Sequence, residues 1–156
     1  MQELPLNQLD DLYQEVILDH YRNPRNHGEI PNPHLSSRGF NPFCGDEVVL
    51  GLNLNEDGKV EAIAFHGQGC SISQASASIL TVLVKDKTLA HAEELSQLLR
   101  SLLRGKELSD DELDRIGDME ALQGVRQFPI RVKCALLPWA TLDDGIADYR
   151  SRATSP

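Results

Sequence analysis

Aromatic side chains are scarce, with four Phe, three Tyr and one Trp in 156 residues. So few rings cannot supply the successive stacking platforms of a single-stranded nucleic-acid surface. Basic charge is short as well: 15 Lys and Arg stand against 24 Asp and Glu, a formal net charge of -9. A protein that neutralises phosphates clusters Lys and Arg instead, so no nucleic-acid partner is expected. No run approaches the roughly 20 apolar residues of a membrane span, and "MQELPLNQLDD" has neither the basic start nor the apolar core of a signal peptide. The expectation is a cytoplasmic protein with no membrane partner. Cysteine is sparse too. Three thiols, an odd number at wide spacing, make a poor disulfide framework in a compartment that keeps thiols reduced.

What is present suits one domain over residues 1–156, with a core over about 9–147 and a disordered tail from about residue 150, "RSRATSP". Leu9, Leu12, Tyr13, Val16, Ile17, His20 and Tyr21 step by three and four, the mark of one helical face; His20 and Tyr21 read as packing residues with polar tips. "RNPRNHGEIPNPH" then breaks the helix with Pro and Gly, and a short strand is expected around Ser37 to Phe40. "DEVVLGLNL", "NEDG" and "KVEAIAFHG" read as an antiparallel hairpin, with Val48, Leu50, Leu52 and Leu54 on one face of the first strand and Val60, Ala62 and Ala64 on the second. If Leu54 faces Lys59, the register carries Cys44 to the neighbourhood of Gly69 and Cys70. "SISQASASILTVLVKD" predicts a buried helix with Ser71 or Ser73 as N-cap, so Cys70 stands at a helix start. A leucine-faced helix follows through Leu95, Leu98, Leu99, Leu102 and Leu103. Ser109 with Glu112 then forms a capping box, its acidic neighbours Asp110, Asp111 and Asp114 solvated. The last helix starts near Pro129, with Pro138 predicted to kink or delay it, Trp139 as a core or interface anchor, and Cys134 early in its course.

The cysteines admit two readings. Free cysteine is often simply buried. Yet "NPFCGDE" puts Cys44 on a Gly-flanked turn, and Asp46, two residues on, projects to the same side of an extended strand. With Cys70 across the hairpin and Cys134 arriving on the last helix, three sulfurs and one carboxylate oxygen make a tetrahedral set suited to zinc or an iron-sulfur centre. The harder carboxylate leaves one corner of such a site easier to open. Competing motifs are weaker. "FHGQGCSI" has Ile72 where a dinucleotide turn needs its third glycine, and it follows a hairpin strand rather than opening a βαβ unit. His66, the nearest base for a cysteine hydrolase, reads as a polar edge residue or a donor to a metal ligand.

"LYQEVILDHYRNPRNHG", "NPFCGDEV", "GQGCSISQASASILT" and "RVKCALLPW", in this order, resemble the U-type iron-sulfur cluster assembly proteins, the IscU/SufU/NifU N-terminal domain family. The likeness implies an α+β fold of the SufE/NifU-like kind, a small antiparallel sheet of about three strands with helices packed on one face. It also implies metal ligands at Cys44, Asp46, Cys70 and Cys134. Family members take persulfide sulfur from a PLP-dependent cysteine desulfurase and pass it to downstream iron-sulfur cluster assembly machinery, and many build a [2Fe-2S] cluster on these residues. Scaffold members usually carry His before the last cysteine within a Leu-Pro-Pro-Val-Lys segment that docks a chaperone; here Lys133 and "FPIRVK" stand there. "SLLRGKELSDDELDRIGDMEALQGVRQFP" resembles the insertion of the SufU-type branch, whose members contain Zn2+ and act as sulfur acceptors. The resemblance therefore implies a zinc-dependent sulfurtransferase; Cys44, on the turn expected to be most exposed and flexible, is read as the acceptor, with electrostatic support from Lys133 beside the thiolates and from Arg131, three residues before Cys134, toward Asp46.

Overall fold

The computed structural model describes residues 11–154. Three consecutive antiparallel strands, β1 (Leu35–Asn41), β2 (Asp46–Leu54) and β3 (Val60–Gln68), form one sheet in sequence order. Before it lies α1 (Asp11–Arg22); after it come α2 (Ser71–Val84), α3 (Leu89–Leu103), α4 (Asp110–Ile116), a 3₁₀ segment (Gly117–Gln127) and α5 (Pro129–Thr154). This is an α+β fold. Leu9 lies outside the described residues, as do Ser155 and Pro156.

Alternation on β2 turns Val48, Leu50 and Leu52 inward, buried to 2% exposure or less, where the strand meets the helical layer. Their partners differ from the simple alternation. Leu52 pairs with Ile63 and Leu50 with Phe65, so Ile63 and Phe65 are the inward residues, while Ala62 and Ala64 stand opposite Asn53 and Gly51. An irregularity at Asn53/Leu54 changes the phase of the ladder, as an extra residue in one strand does. The pairing also runs two residues further along β3 than a Leu54–Lys59 pair implies, and ends at Glu47 and Gln68. The Cys44 turn and the start of α2 therefore lie beyond the ladder at the same end of the sheet.

The helices anchor this end. α2 is buried almost all round and central: Ser71, Ile72, Ser73 and most residues through Thr81 are buried. Its N-cap is Cys70, neither Ser71 nor Ser73; Ser73 Oγ donates to the Cys70 carbonyl at 3.1 Å. α5 packs on both β1 and α2. Its close approach to β1 needs a glycine, because a Cβ at Gly39 would stand 1.9 Å from Thr141 Oγ1. The helix runs unbroken through Pro138, although that residue cannot supply the amide hydrogen the Cys134 carbonyl would accept in a regular helix. It also continues to Thr154, where disorder is expected from the polar "RSRATSP"; Arg152 there pairs with Asp148 and reaches the His34 carbonyl. The capping box of α4 is formed in both halves, and Trp139 is fully buried. His20 is buried between Ser78 and Asp118, whereas Tyr21 is 43% exposed and does not pack inside.

Candidate metal centre

Four chain segments meet at the end of the sheet. The Cys44 turn is closed by Asn41, whose carbonyl accepts from the amides of Cys44 (3.3 Å) and Gly45 (2.9 Å), while its side-chain oxygen accepts from Phe43 N–H at 3.2 Å. Gly45 supplies the left-handed backbone, φ 69°, that completes the turn. Asp46 begins β2 with its side chain turned inward and fully buried. Its Oδ1 accepts from the Cys70 amide at 2.9 Å, tying the first strand of the hairpin to the start of α2. The first two turns of α5 bring in Cys134, which is fully buried.

These elements place one ligand atom each from Cys44, Asp46 and Cys134 within 4.8 Å of one another. The sulfurs of Cys44 and Cys134 are 3.1 Å apart, and all three cysteines are free thiols. Cys70 is not in that tight set. It adjoins it through a hydrogen bond with Cys134, and Ser73 Oγ lies 3.9 Å from its sulfur. That bond with Cys134 is the main reason the Cys70 thiol is lowered to about 6; burial opposes the shift, and the amides of Ser73 and Ile72 assist it. Cys134 moves up instead, chiefly through its interaction with Cys70, with burial and the neighbouring Cys44 and Asp46 adding to the shift.

The second carboxylate oxygen of Asp46 bears on which ligand the site fits. Asp46 Oδ2 is buried and has no hydrogen-bond partner. A buried carboxylate oxygen without a donor carries a desolvation cost of about 1–3 kcal/mol or more, and a cation held with the neighbouring sulfurs removes it. Two thiols and a carboxylate at this spacing, with a third thiol adjoining, fit a borderline-soft ion such as zinc and suit an iron-sulfur centre equally well.

The two supporting cations are placed differently from each other. Arg131 Nη1 lies 3.9 Å from the sulfurs of both Cys44 and Cys134, so its charge faces the thiols. Lys133 is exposed and its ammonium sits 4.4 Å from the centre of the Phe43 ring, so it grips the Cys44 turn through an aromatic face and is not placed beside the sulfurs. His66 pairs with Glu29 at 3.3 Å, next to Val49 on the outer face of the sheet, and lines a separate cleft of about 210 Å³. The residue missed from sequence is Asn41. Its place before Pro42 suggests a turn, but only the fold shows its amide nitrogen 3.9 Å from the Cys134 sulfur as well. Asn41→Ala is expected to weaken zinc binding about tenfold or more, as loss of a group that orients metal ligands does, read by competition with a chromogenic chelator.

Residues 12–135 match the family described as the NifU-like N terminal domain. The chain is 48% identical to the zinc-dependent sulfurtransferase SufU of Bacillus subtilis (strain 168) over 139 residues, covering 89% of this chain and 92% of that protein. It is 36% identical to the iron-sulfur cluster assembly scaffold protein IscU of Streptococcus pyogenes serotype M1 over 143 residues, 92% of this chain and 87% of that one. A crystal structure described as FiSufU of the SUF system, from thermophilic Fervidobacterium islandicum AW-1, matches with a TM-score of 0.78 at 36% identity, covering 85% of this chain and 94% of the other.

Proposed function

Because this chain belongs to the NifU-like N-terminal domain family of iron-sulfur cluster assembly proteins, we propose that it is a zinc-dependent acceptor of persulfide sulfur from a PLP-dependent cysteine desulfurase. Cys44, Asp46, Cys70 and Cys134 would hold the zinc. When bound, zinc keeps its thiol ligands deprotonated at neutral pH and ties the turn to the helix ends.

The observation that carries the transfer reading is exposure. Cys134 and Asp46 are fully buried and Cys70 is 5% exposed, whereas Cys44 is half-buried on its turn and open to an incoming sulfur. Its thiolate attacks the terminal sulfur of the donor persulfide. A new S–S bond forms at Cys44 Sγ, the donor's S–S bond breaks, and the electron pair leaves on the donor cysteine as thiolate. No external oxidant or reductant is consumed. Arg131, 3.9 Å from Cys44 Sγ, stabilises the thiolate before attack and the persulfide anion after it. The loaded Cys44 then passes its sulfur to downstream cluster-assembly machinery. A cytoplasmic setting, where thiols stay reduced, suits three free cysteines.

The same residues would also serve a scaffold for a transient [2Fe-2S] cluster, and one experiment separates the two. The purified protein is analysed for metals, exposed anaerobically to iron and sulfide, and added to a cysteine desulfurase turning over cysteine. Retained zinc, no visible absorption and a several-fold rise in alanine release are expected. A stable coloured cluster with no stimulation would replace transfer by the scaffold reading.

A further inference from the structure

Ser76 is fully buried within α2. A serine or threonine inside a helix ordinarily turns its hydroxyl back on a carbonyl three or four residues earlier, and three others in this protein do so: Ser73 donates to Cys70, Thr81 to Ser78 at 2.7 Å and Thr141 to Leu137 at 2.7 Å. Ser76 reaches out instead. Its Oγ donates at 2.6 Å to the Ala135 carbonyl of α5, the residue directly after Cys134.

That carbonyl stands where α5 is weakest. Pro138 has no amide hydrogen for the Cys134 carbonyl, and its ring crowds the same group. A proline so placed is the usual cause of a sharp helix kink, which here would swing the turn carrying Cys134 away from the elements it meets. The bond from Ser76 fastens this turn to α2, the helix whose start carries Cys70. Small errors matter at such a place. The Cys134 and Cys44 sulfurs are 3.1 Å apart, and metal–ligand distances tolerate deviations of only about 0.2 Å.

We propose that Ser76 is a positioning residue for the metal centre: by holding the Ala135 carbonyl at the break made by Pro138, its hydroxyl sets where Cys134 stands relative to Cys44 and Cys70. It acts through the backbone of α5. This rests on the reading of Cys44, Asp46, Cys70 and Cys134 as metal ligands. One consequence is specific to it, namely that the cost of losing the hydroxyl depends on the residue at position 138.

The test measures zinc affinity by competition with a chromogenic chelator, and the visible absorption of the Co2+ form, in the wild-type protein, Ser76→Ala, Pro138→Ala and the double variant. Ser76→Ala should bind zinc about tenfold more weakly, with an altered Co2+ spectrum. Pro138→Ala supplies the missing amide hydrogen, so adding Ser76→Ala to it should cost less than about threefold. Ser78→Ala is the control: it removes an equally buried hydroxyl of the same helix, one bonded to His20 and the Arg25 amide, and should lower the melting temperature while zinc affinity stays at the wild-type value.

Wild-type zinc affinity in Ser76→Ala, or an equal loss in both backgrounds, would overturn the proposal and leave the metal site standing. Should Ser76→Ala alone fail to fold, the double variant set against Pro138→Ala decides: near-equal affinities support the proposal, and a tenfold loss or a failure to fold overturns it. A wild-type protein that binds neither zinc nor Co2+ would overturn the metal reading and this inference together.

Discussion

Cys44→Ser is expected to abolish sulfur uptake while leaving the fold in place. A serine hydroxyl matches the thiol in shape but stays protonated at neutral pH and is a poor nucleophile toward a sulfane sulfur, so sulfur uptake should fall at least about a hundredfold and the desulfurase should return to its unstimulated rate. The turn itself survives, because its bonds run from the backbone amides of residues 43 to 45 to Asn41 and none uses the Cys44 sulfur. The measurement is mass spectrometry after alkylation: wild-type protein should gain the mass of one sulfur on the peptide containing residue 44, and the variant none. Thermal unfolding of the zinc-free forms should be nearly unchanged. Cys134→Ser is the contrast, since its sulfur is fully buried in contact with Cys44 and Arg131 and its replacement strikes packing as well as chemistry. Should Cys44→Ser lose activity only in proportion to lost folding, the cysteine would be structural. Continued sulfur uptake would pass the acceptor role to another thiol.

Gly67→Ala should have the largest effect on stability. Gly67 has φ +147°, and a Cβ there would lie 2.1 Å from the Glu47 carbonyl oxygen, 2.9 Å from its carbon and 3.1 Å from Val48 Cα. All three are backbone atoms of the paired strand, so no side-chain rotation relieves the contact. β2 and β3 must part beside Asp46, whose carboxylate joins the hairpin to α2 through the Cys70 amide. A loss of about 3 kcal/mol is expected, which for a chain of this length lowers the melting temperature by about 6–12 °C, together with reduced zinc content. Gly58→Ala is the control. It also has positive φ, +77°, but its Cβ would meet nothing within 4 Å, so only the backbone preference is lost. Equal losses in the two variants would show that crowding at Gly67 does not matter.

The helical face of α1, the hairpin, the capping box at Ser109 and the leucine stripe of α3 were legible because each depends on residues within a few positions of one another. The phase of β3 was not. Alternation counted from Val60 turns Ala62 and Ala64 inward, and the irregularity at Asn53/Leu54 instead gives Ile63 and Phe65 to the core. The end of α5 escaped for a related reason: its polar composition looks like a tail, and its contacts include Asp148 in its own preceding turn, Glu93 on α3 and the distant His34 carbonyl. Lys133 looked like a charge for the thiolates because it neighbours Cys134 in sequence. On a helix, adjacent residues point about 100° apart, and its ammonium reaches Phe43 instead.

By itself, the order of amino acids singled out the residues that could hold a metal ion. Thiols on Gly-flanked turns, an aspartate two places from one of them and a third cysteine early in a helix are properties of composition and spacing. Only the tertiary structure decided how closely they stand: Cys44 and Cys134 in contact, Asp46 split between the start of α2 and an unmet inner oxygen, Cys70 one hydrogen bond aside, and Cys44 the most accessible of the four. Local rules act over one turn or one strand pair, whereas these distances depend on where α5 crosses β1 and α2, which is set by packing between segments some 90 residues apart.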